Sequence, residues 1–379
     1  MSDAISDDER LVVDTVERFA GEVLAPRAAE LDETETFATV HLPALAALGA
    51  MGLNLPAAWG GVGVSGPALY HAVEAIAGAC GSTASMVTAH YLATDAILIG
   101  GDDAQRQRLL PAAAAGETLG AFALTEPQAG SNPADMTTTA ARDGDGYRLS
   151  GVKHFISNAG AADFIVVFAK TDRAAGARGV SAFVVEPKSL PGVEVASHER
   201  TMGLRGGHVF ELRLDCRVPP DNRLGAEGSG FRTAMKVLDN GRIEVAAQAT
   251  GIAGAALDAA VAWAKQRRVG GQPIAEFQGL QWMLADMATE LAAARALGLT
   301  AARKRGTGER VSTDAAFAKL YATEAAARIA DKALQIHGGY GYTRAMPLER
   351  YVRDLRIFRI YEGSSEIQRN IIARGLLAD

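Results

Sequence analysis

Hydrophobic positions in the first third of the chain recur at helical spacing. Val12, Val16, Phe19 and Val23 fall three or four residues apart, which places them on one face of a helix. Ser6 with Glu9 three residues later has the capping-box spacing that starts such a helix, and Pro26 marks its end. The same period predicts helices over about 41–49, 68–79 and 82–99, interrupted by LPAAWGGVGVSGP. Between about Leu119 and Leu224 the period changes. In HVFELRLDCRV, Phe210, Leu212, Leu214, Cys216 and Val218 alternate with Glu211, Arg213, Asp215 and Arg217, the mark of a strand with one buried face. GYRLSGV, DFIVVFAKT and GVSAFVVEP read as further strands. With Gly, Asp and Pro turns and no helix-length pattern between them, they predict an antiparallel β domain rather than βαβ units.

From about Phe231 the helical period returns. A long Ala- and Gly-rich segment ends near Arg268, and two more helices are expected over about 277–305 and 312–337. Arg350, Arg353, Arg356 and Arg359 recur every three residues, a helix stripe paired with acids such as Asp354 and Glu349. A last helix should begin at about Ser365, where Ser365 and Gln368 have capping-box spacing ahead of Ile367, Ile371 and Ile372. The expected fold is mainly α with a central β domain: helical over 1–118, antiparallel β-sheet over 119–230 and a helical bundle over 231–379.

Composition narrows the class. At 379 residues, 48% hydrophobic and 22% charged, the chain suits two or three globular domains. No apolar run approaches the roughly 20 residues of a membrane span. MSDAISDDER lacks the order of a signal peptide, so a cytoplasmic protein is expected, with no membrane partner. A net charge of −6 argues against nucleic acid. Cys80 and Cys216 are the two cysteines, too few for a disulfide framework or a multi-cysteine metal site. The histidines show no H-E-x-x-H and there is no G-x-S-x-G, so neither a metal site nor a serine hydrolase is expected. Gly61, Gly63 and Gly66 match G-x-G-x-x-G, but they follow Pro-Ala-Ala-Trp rather than a strand and read as a surface loop.

What remains is glycine-rich and polar: ALTEPQAGSNP, KHFISNAG, QIHGGYGYT and RIYEGSSEIQRN. Such loops bring backbone N–H and hydroxyl donors close to an extended, phosphate-bearing ligand. In the last, Glu362 stands alone between Tyr361 and Gly363, in the turn ahead of the final helix. Locally it need do no more than complement the helix dipole, a gain of roughly 0.3–1 kcal/mol.

Taken together and in this order, LTEPQAGS, KHFISNAG, RRVGGQPIAEFQ, QIHGGYGY and IYEGSSEIQR resemble the acyl-CoA dehydrogenase family, and the likeness runs end to end. The resemblance implies a C-terminal four-helix bundle and FAD bound between the β domain and that bundle. It also implies oxidation of an acyl-CoA thioester to the trans-2-enoyl-CoA, with electrons passed to an electron-transferring flavoprotein. Glu362 matches the family's catalytic base, which removes the α proton while the β hydrogen leaves as hydride to the flavin. Thr125 and Ser157 match positions that hydrogen-bond the flavin ring, Phe155 one that packs against it, and Ser131 one near cofactor and pantetheine. Arg267, Gln278, Gln335 and Gly339 correspond to the part of the FAD site reached across a subunit interface, with Ser364 and Glu366 on the near side. Asp239 and Arg242 fall where the family contacts the thioester arm, and Tyr361 where it lines the acyl pocket. A shared cofactor site implies an oligomer, the homotetramer common in the family or a homodimer.

The resemblance has departures. Gly241 stands where some members carry the base instead, and LDNGRI resembles the short-chain branch. Gly270 replaces an aromatic residue, Phe155 a tryptophan, and Asn132-Pro133 an acidic start to the next segment. Glu244, one helical turn beyond Gly241, and Thr88, His90, Tyr91 and Asp95 are more polar than a plain alkyl pocket needs. They either meet solvent or a neighbouring subunit, or select a short or polar acyl group. Other members of the fold act as oxidases, monooxygenases or acyl-CoA lyases. A non-enzymatic helical scaffold or acyl-CoA-binding module is the remaining alternative.

Overall fold

The computed structural model describes residues 5–377. The chain opens with six helices: α1 (Asp7–Phe19), α2 (Ala28–Thr34), α3 (Leu42–Ala47), α4 (Gly66–Ala79), α5 (Gly81–Gly100) and α6 (Asp103–Ala114). The Ser6–Glu9 capping box forms in both directions, at 2.9 and 3.2 Å. Glu9 also accepts from the Ser65 N–H at 2.6 Å, tying α1 to the start of α4. Past Phe19 the chain continues through a π turn and a 3-10 turn that contains Pro26. Helix α6 lay outside the expected helices. Its two leucines, Leu109 and Leu110, are adjacent, and adjacent positions carry no helical period. Gly66 belongs to no free loop: a Cβ there would lie 2.0 Å from the Ala302 carbonyl oxygen.

Eight strands follow: β1 (Gly120–Ala123), β2 (Thr139–Asp143), β3 (Gly146–Ser157), β4 (Phe164–Lys170), β5 (Val180–Val185), β6 (Val193–His198), β7 (Val209–Val218) and β8 (Arg223–Leu224). They form one sheet in the order β6-β7-β3-β2-β4-β5-β8, with β1 also paired to β4. Most pairings are antiparallel, and β7 shows the expected alternation, Phe210 to Val218 inward on every second residue. β1 and β2 instead run parallel to β4. The β2–β3 hairpin between β1 and β4 gives the long crossover that a parallel pair needs.

Helix α7 (Gly230–Gln266) spans 37 residues, about 55 Å. After the β9 (Arg268–Val269) and β10 (Gln272–Pro273) hairpin come α8 (Gln278–Lys304), α9 (Ser312–His337), α10 (Gly339–Tyr342), α11 (Leu348–Phe358) and α12 (Ser365–Leu377). By length and composition α7 is apolar enough to cross a membrane, but 67% of its most apolar window is buried in the protein. Its glycines mark helix crossings: a Cβ on Gly251 would lie 2.1 Å from the Glu74 carbonyl oxygen of α4. In the arginine stripe, Arg353 pairs with Glu349 and with Asp32 of α2, each at 2.6 Å. Buried Asp354 accepts the Leu204 N–H instead of an arginine.

Candidate active site

The turn from α11 into α12 holds Glu362 in an unusual conformation. Its φ is +53°, followed by Gly363 at +85°, and a non-glycine residue in this region costs on the order of 1–3 kcal/mol. Three side chains hold the turn against that cost. Gln368 donates to the carbonyls of Glu362 and Gly363 at 3.2 and 2.8 Å, Lys319 of α9 donates to Gly363 at 2.6 Å, and Arg242 of α7 donates to Glu362 at 3.4 Å. The expected cap shifts by one residue: Ser364 faces the Ile367 N–H at 3.4 Å, while the Ser365 hydroxyl donates to Glu324 at 2.6 Å. Gln368 is thus a clamp on the turn rather than half of a capping box.

The clamped turn aims the Glu362 carboxylate into a pocket lined by Leu92, Ser157, Gly241, Glu244, Gln248 and Tyr361. A Cβ at position 241 would lie 3.0 Å from Glu362 Oε2 and 2.7 Å from Leu92 Cδ2, so any side chain there would crowd the carboxylate and Leu92. Oε2 is buried and makes no hydrogen bond, and neither does the Tyr361 hydroxyl. Burial raises the Glu362 pKa above the ordinary range, opposed by Arg242 and Lys319. Arg242 is itself held by Asp239 at 2.5 Å, and Asp239 accepts from Ser312. This pair braces the Glu362 turn inside the protein.

In β3, the strand whose Ser157 lines the same pocket, the register breaks between Lys153 and Ile156. At this bulge Phe155 takes φ +57° and projects its ring outward, 59% exposed and stacked on His154 at 4.1 Å. An outward phenylalanine in left-handed backbone is a strained feature that needs support. A wholly buried ion pair supplies it, Lys153 to Glu126 at 2.9 Å. Lys153 also donates to the Leu124 carbonyl, and Glu126 accepts from the N–H groups of Thr137 and Thr138 at 2.6 and 3.0 Å. Burial alone would raise Glu126, but Lys153 and these donors hold it at about 2. The loop carrying Thr125 and exposed Ser131 is thereby locked to the bulge, and the Thr125 carbonyl accepts the His154 N–H at 2.9 Å. Sequence reasoning missed Glu126, Lys153 and Gln368. Glu126 and Lys153 stand inside the motifs LTEPQAGS and KHFISNAG, which is the one signal that pointed to them.

Of the polar residues flagged on α5, only Thr88 reaches the pocket. The rest are buried and serve the fold: His90 accepts the Gly120 N–H, Tyr91 donates to the Ala50 carbonyl, and Asp95 pairs with Arg305 at 2.9 Å. They meet neither solvent nor the pocket at Glu362. Glu244 is different, being both buried and in the pocket.

A second concavity of about 600 Å³ lies at the far end of the bundle, lined by Trp263, Arg267, Ile274, His337, Gly339 and Tyr340. Trp263 stacks on His337 at 5.1 Å, and the Arg267 guanidinium sits 5.8 Å from the Tyr340 ring. Gln278 and Gln335 are exposed and do not line it, as is Glu366 in the first turn of α12. A Cβ on Gly338, Gly339 or Gly270 would meet nothing within 4 Å, leaving an open cradle. Gly241 and Arg267 lie at opposite ends of one helix stretch, about 39 Å apart.

Family models match the chain from end to end: "Acyl-CoA dehydrogenase, N-terminal domain" over residues 6–117, "middle domain" over 121–216 and "C-terminal domain" over 228–377. The chain belongs to the acyl-CoA dehydrogenase family. It is 42% identical over 368 residues to the short-chain specific acyl-CoA dehydrogenase of Clostridium acetobutylicum, with 97% of each chain covered. The solved butyryl-CoA dehydrogenase of Megasphaera elsdenii is 38% identical and superimposes at a TM-score of 0.97 over the whole of both chains. A structure from work on the electron transferring flavoprotein of Acidaminococcus fermentans and flavin-based electron bifurcation is 40% identical, with a TM-score of 0.98 over the whole of both chains. The acyl-CoA dehydrogenase fold expected from the sequence is therefore the fold of this chain, with Gly241 facing the Glu362 carboxylate.

Proposed function

We propose that the protein is an FAD-dependent acyl-CoA dehydrogenase acting on a short acyl group, with Glu362 as the base. The observation that carries this reading is the Glu362 carboxylate, held by a strained turn, buried, and unpartnered against Gly241. A base for the weakly acidic α carbon of a thioester needs a raised pKa and a fixed position, and this carboxylate has both. Glu362 takes the α proton, and the backbone N–H of the same residue is the oxyanion donor within the chain. Bound FAD supplies the acceptor for the β hydride. The residues fit it: Phe155 and Ser157 flank the ring position, and the open Trp263–Tyr340 groove suits the dinucleotide end. Because that groove lies about 39 Å from the base along α7, a complete site takes its groove from a second copy, which supports an oligomer, the homotetramer or a homodimer. The cavity at Glu362 holds about 40 Å³, a size suited to a short acyl chain. A cytoplasmic electron-transferring flavoprotein is the proposed electron acceptor.

Anaerobic titration of the purified protein with short acyl-CoA thioesters, read by visible absorption, tests this. Bleaching of a yellow protein by one of them is the expected result. A colourless protein that cannot be reconstituted with FAD, or a flavin that no thioester bleaches, overturns it.

A further inference from the structure

The acyl pocket of this chain carries a polar end. Gly241, Glu244 and Gln248 lie at i, i+3 and i+7 on α7, one face of the helix, and all three line the pocket with Glu362. Glu244 and Gln248 are 3% and 1% exposed. Glu244 Oε1 is held by Arg305 at 2.7 Å, and Arg305 in turn by Asp95 at 2.9 Å. Asp95 is further fixed by Asn54 and Asn240, at 2.8 and 2.7 Å. The Gln248 amide nitrogen donates to Thr88 at 3.1 Å. This leaves two buried oxygens without a partner, Glu244 Oε2 and Gln248 Oε1. Gln248 Oε1 is an acceptor, Glu244 Oε2 is one when its carboxylate is ionised, and a buried acceptor without a donor is costly.

We infer that the pocket selects a short acyl thioester whose chain bears a hydrogen-bond donor, a hydroxyl or an ammonium, near the γ carbon. This rests on the dehydrogenase reading above. Glu244 is one helical turn past Gly241, about 4.5 Å along α7 from the position beside the base. That spacing corresponds to about three or four bonds beyond the α carbon, the reach of a heteroatom borne on the γ carbon. A carboxylated tail fits poorly. The lining contains no cation, and the nearby Arg305 is already shared between Glu244 and Asp95. A plain alkyl tail would seal both oxygens away from any donor.

The test compares anaerobic flavin bleaching of the holoenzyme by four thioesters of matched chain: butyryl-CoA, γ-hydroxybutyryl-CoA, γ-aminobutyryl-CoA and succinyl-CoA. The expected result is that the hydroxyl or the amino thioester exceeds butyryl-CoA in kcat/KM by at least about tenfold. The better of the two names the donor. In Gln248→Met, which leaves the Glu244–Arg305–Asp95 set in place, that ratio falls toward one. Flavin content and Tm of the same preparation report folding. Butyryl-CoA or succinyl-CoA bleaching as fast as the donor-bearing pair overturns the inference while leaving the dehydrogenase reading intact. Failure of these four and of every other short thioester to bleach the flavin removes the reading itself.

Discussion

The pocket at Glu362 and the groove at Trp263–Tyr340 are built on opposite plans. The pocket is buried, charged and strained. Glu362 is held at positive φ by Gln368, Lys319 and Arg242, and Phe155 is held at positive φ over the Lys153–Glu126 pair. The groove is open, aromatic and rich in glycine, with Tyr340 54% exposed. Positioning a reacting carboxylate takes a network over-determined within one chain. Holding an extended cofactor tail takes surface, and surface can be left for a neighbour to complete.

The largest effect should come from the pocket. Glu362→Gln keeps the size and the turn but removes the base, so flavin reduction should fall on the order of 100- to 10,000-fold with flavin content unchanged. Stopped-flow reduction by the best thioester measures this, and a variant that reduces at the parent rate would remove Glu362 from its role. Lys153→Met should be the next largest. It leaves Glu126 buried without its cation, at a cost of about 3–5 kcal/mol. The Tm should drop, and the loop carrying Thr125 and Ser131 should become sensitive to limited proteolysis. An unchanged Tm would show that the N–H donors of Thr137 and Thr138 suffice alone.

The groove gives a smaller and different effect. Arg267→Ala should raise the FAD concentration for half occupancy about tenfold, as for loss of one charged hydrogen bond, while the rate per bound flavin changes far less. Sharing between subunits can then be tested directly. In a mixed oligomer of Arg267→Ala and Glu362→Gln subunits, one kind of site contains both defects and the other neither. Activity at limiting FAD should exceed the sum of the two homogeneous variants. Simple additivity would mean that each subunit's base works with its own groove and that the site is not shared.

How much of this the sequence exposes depends on the range of the interaction. The alternation along β7, the ends of α8 and α9 and the Ser6–Glu9 box are local patterns, and all three are legible in a window of a dozen residues. Glu362 was legible only through its motif. Its positive φ was not, since the side chain carries no sign of a backbone held by Gln368, Lys319 and Arg242. The Glu244–Arg305–Asp95 set joins residues 61 and 210 positions apart, beyond any periodicity. For that reason Asp95 read as facing solvent, a neighbouring subunit or the acyl group, when it is the anchor behind Arg305. The parallel pairing of β1 with β4 was hidden in the same way, because strand runs do not state their partners.

The last effect concerns pH and separates Glu244 from the other buried acids. Burial raises its pKa to about 8, with Arg305 opposing and Asp95 adding to the shift. Between the unfolded value near 4.5 and the folded value near 8, the folded state holds a proton that the unfolded chain has released. Stability therefore falls as pH rises through that window, by at most about 1.4 kcal/mol per unit. Glu244→Gln cannot ionise, so its Tm should decline less than the parent's between pH 5 and 8. Asp354, pushed up to about 6, acts in both proteins and cancels in the difference. Parallel Tm curves would mean that Glu244 is ionised throughout and that Arg305 outweighs its burial. The polar end of the pocket would then carry a full negative charge, favouring the ammonium over the hydroxyl among the donor-bearing thioesters.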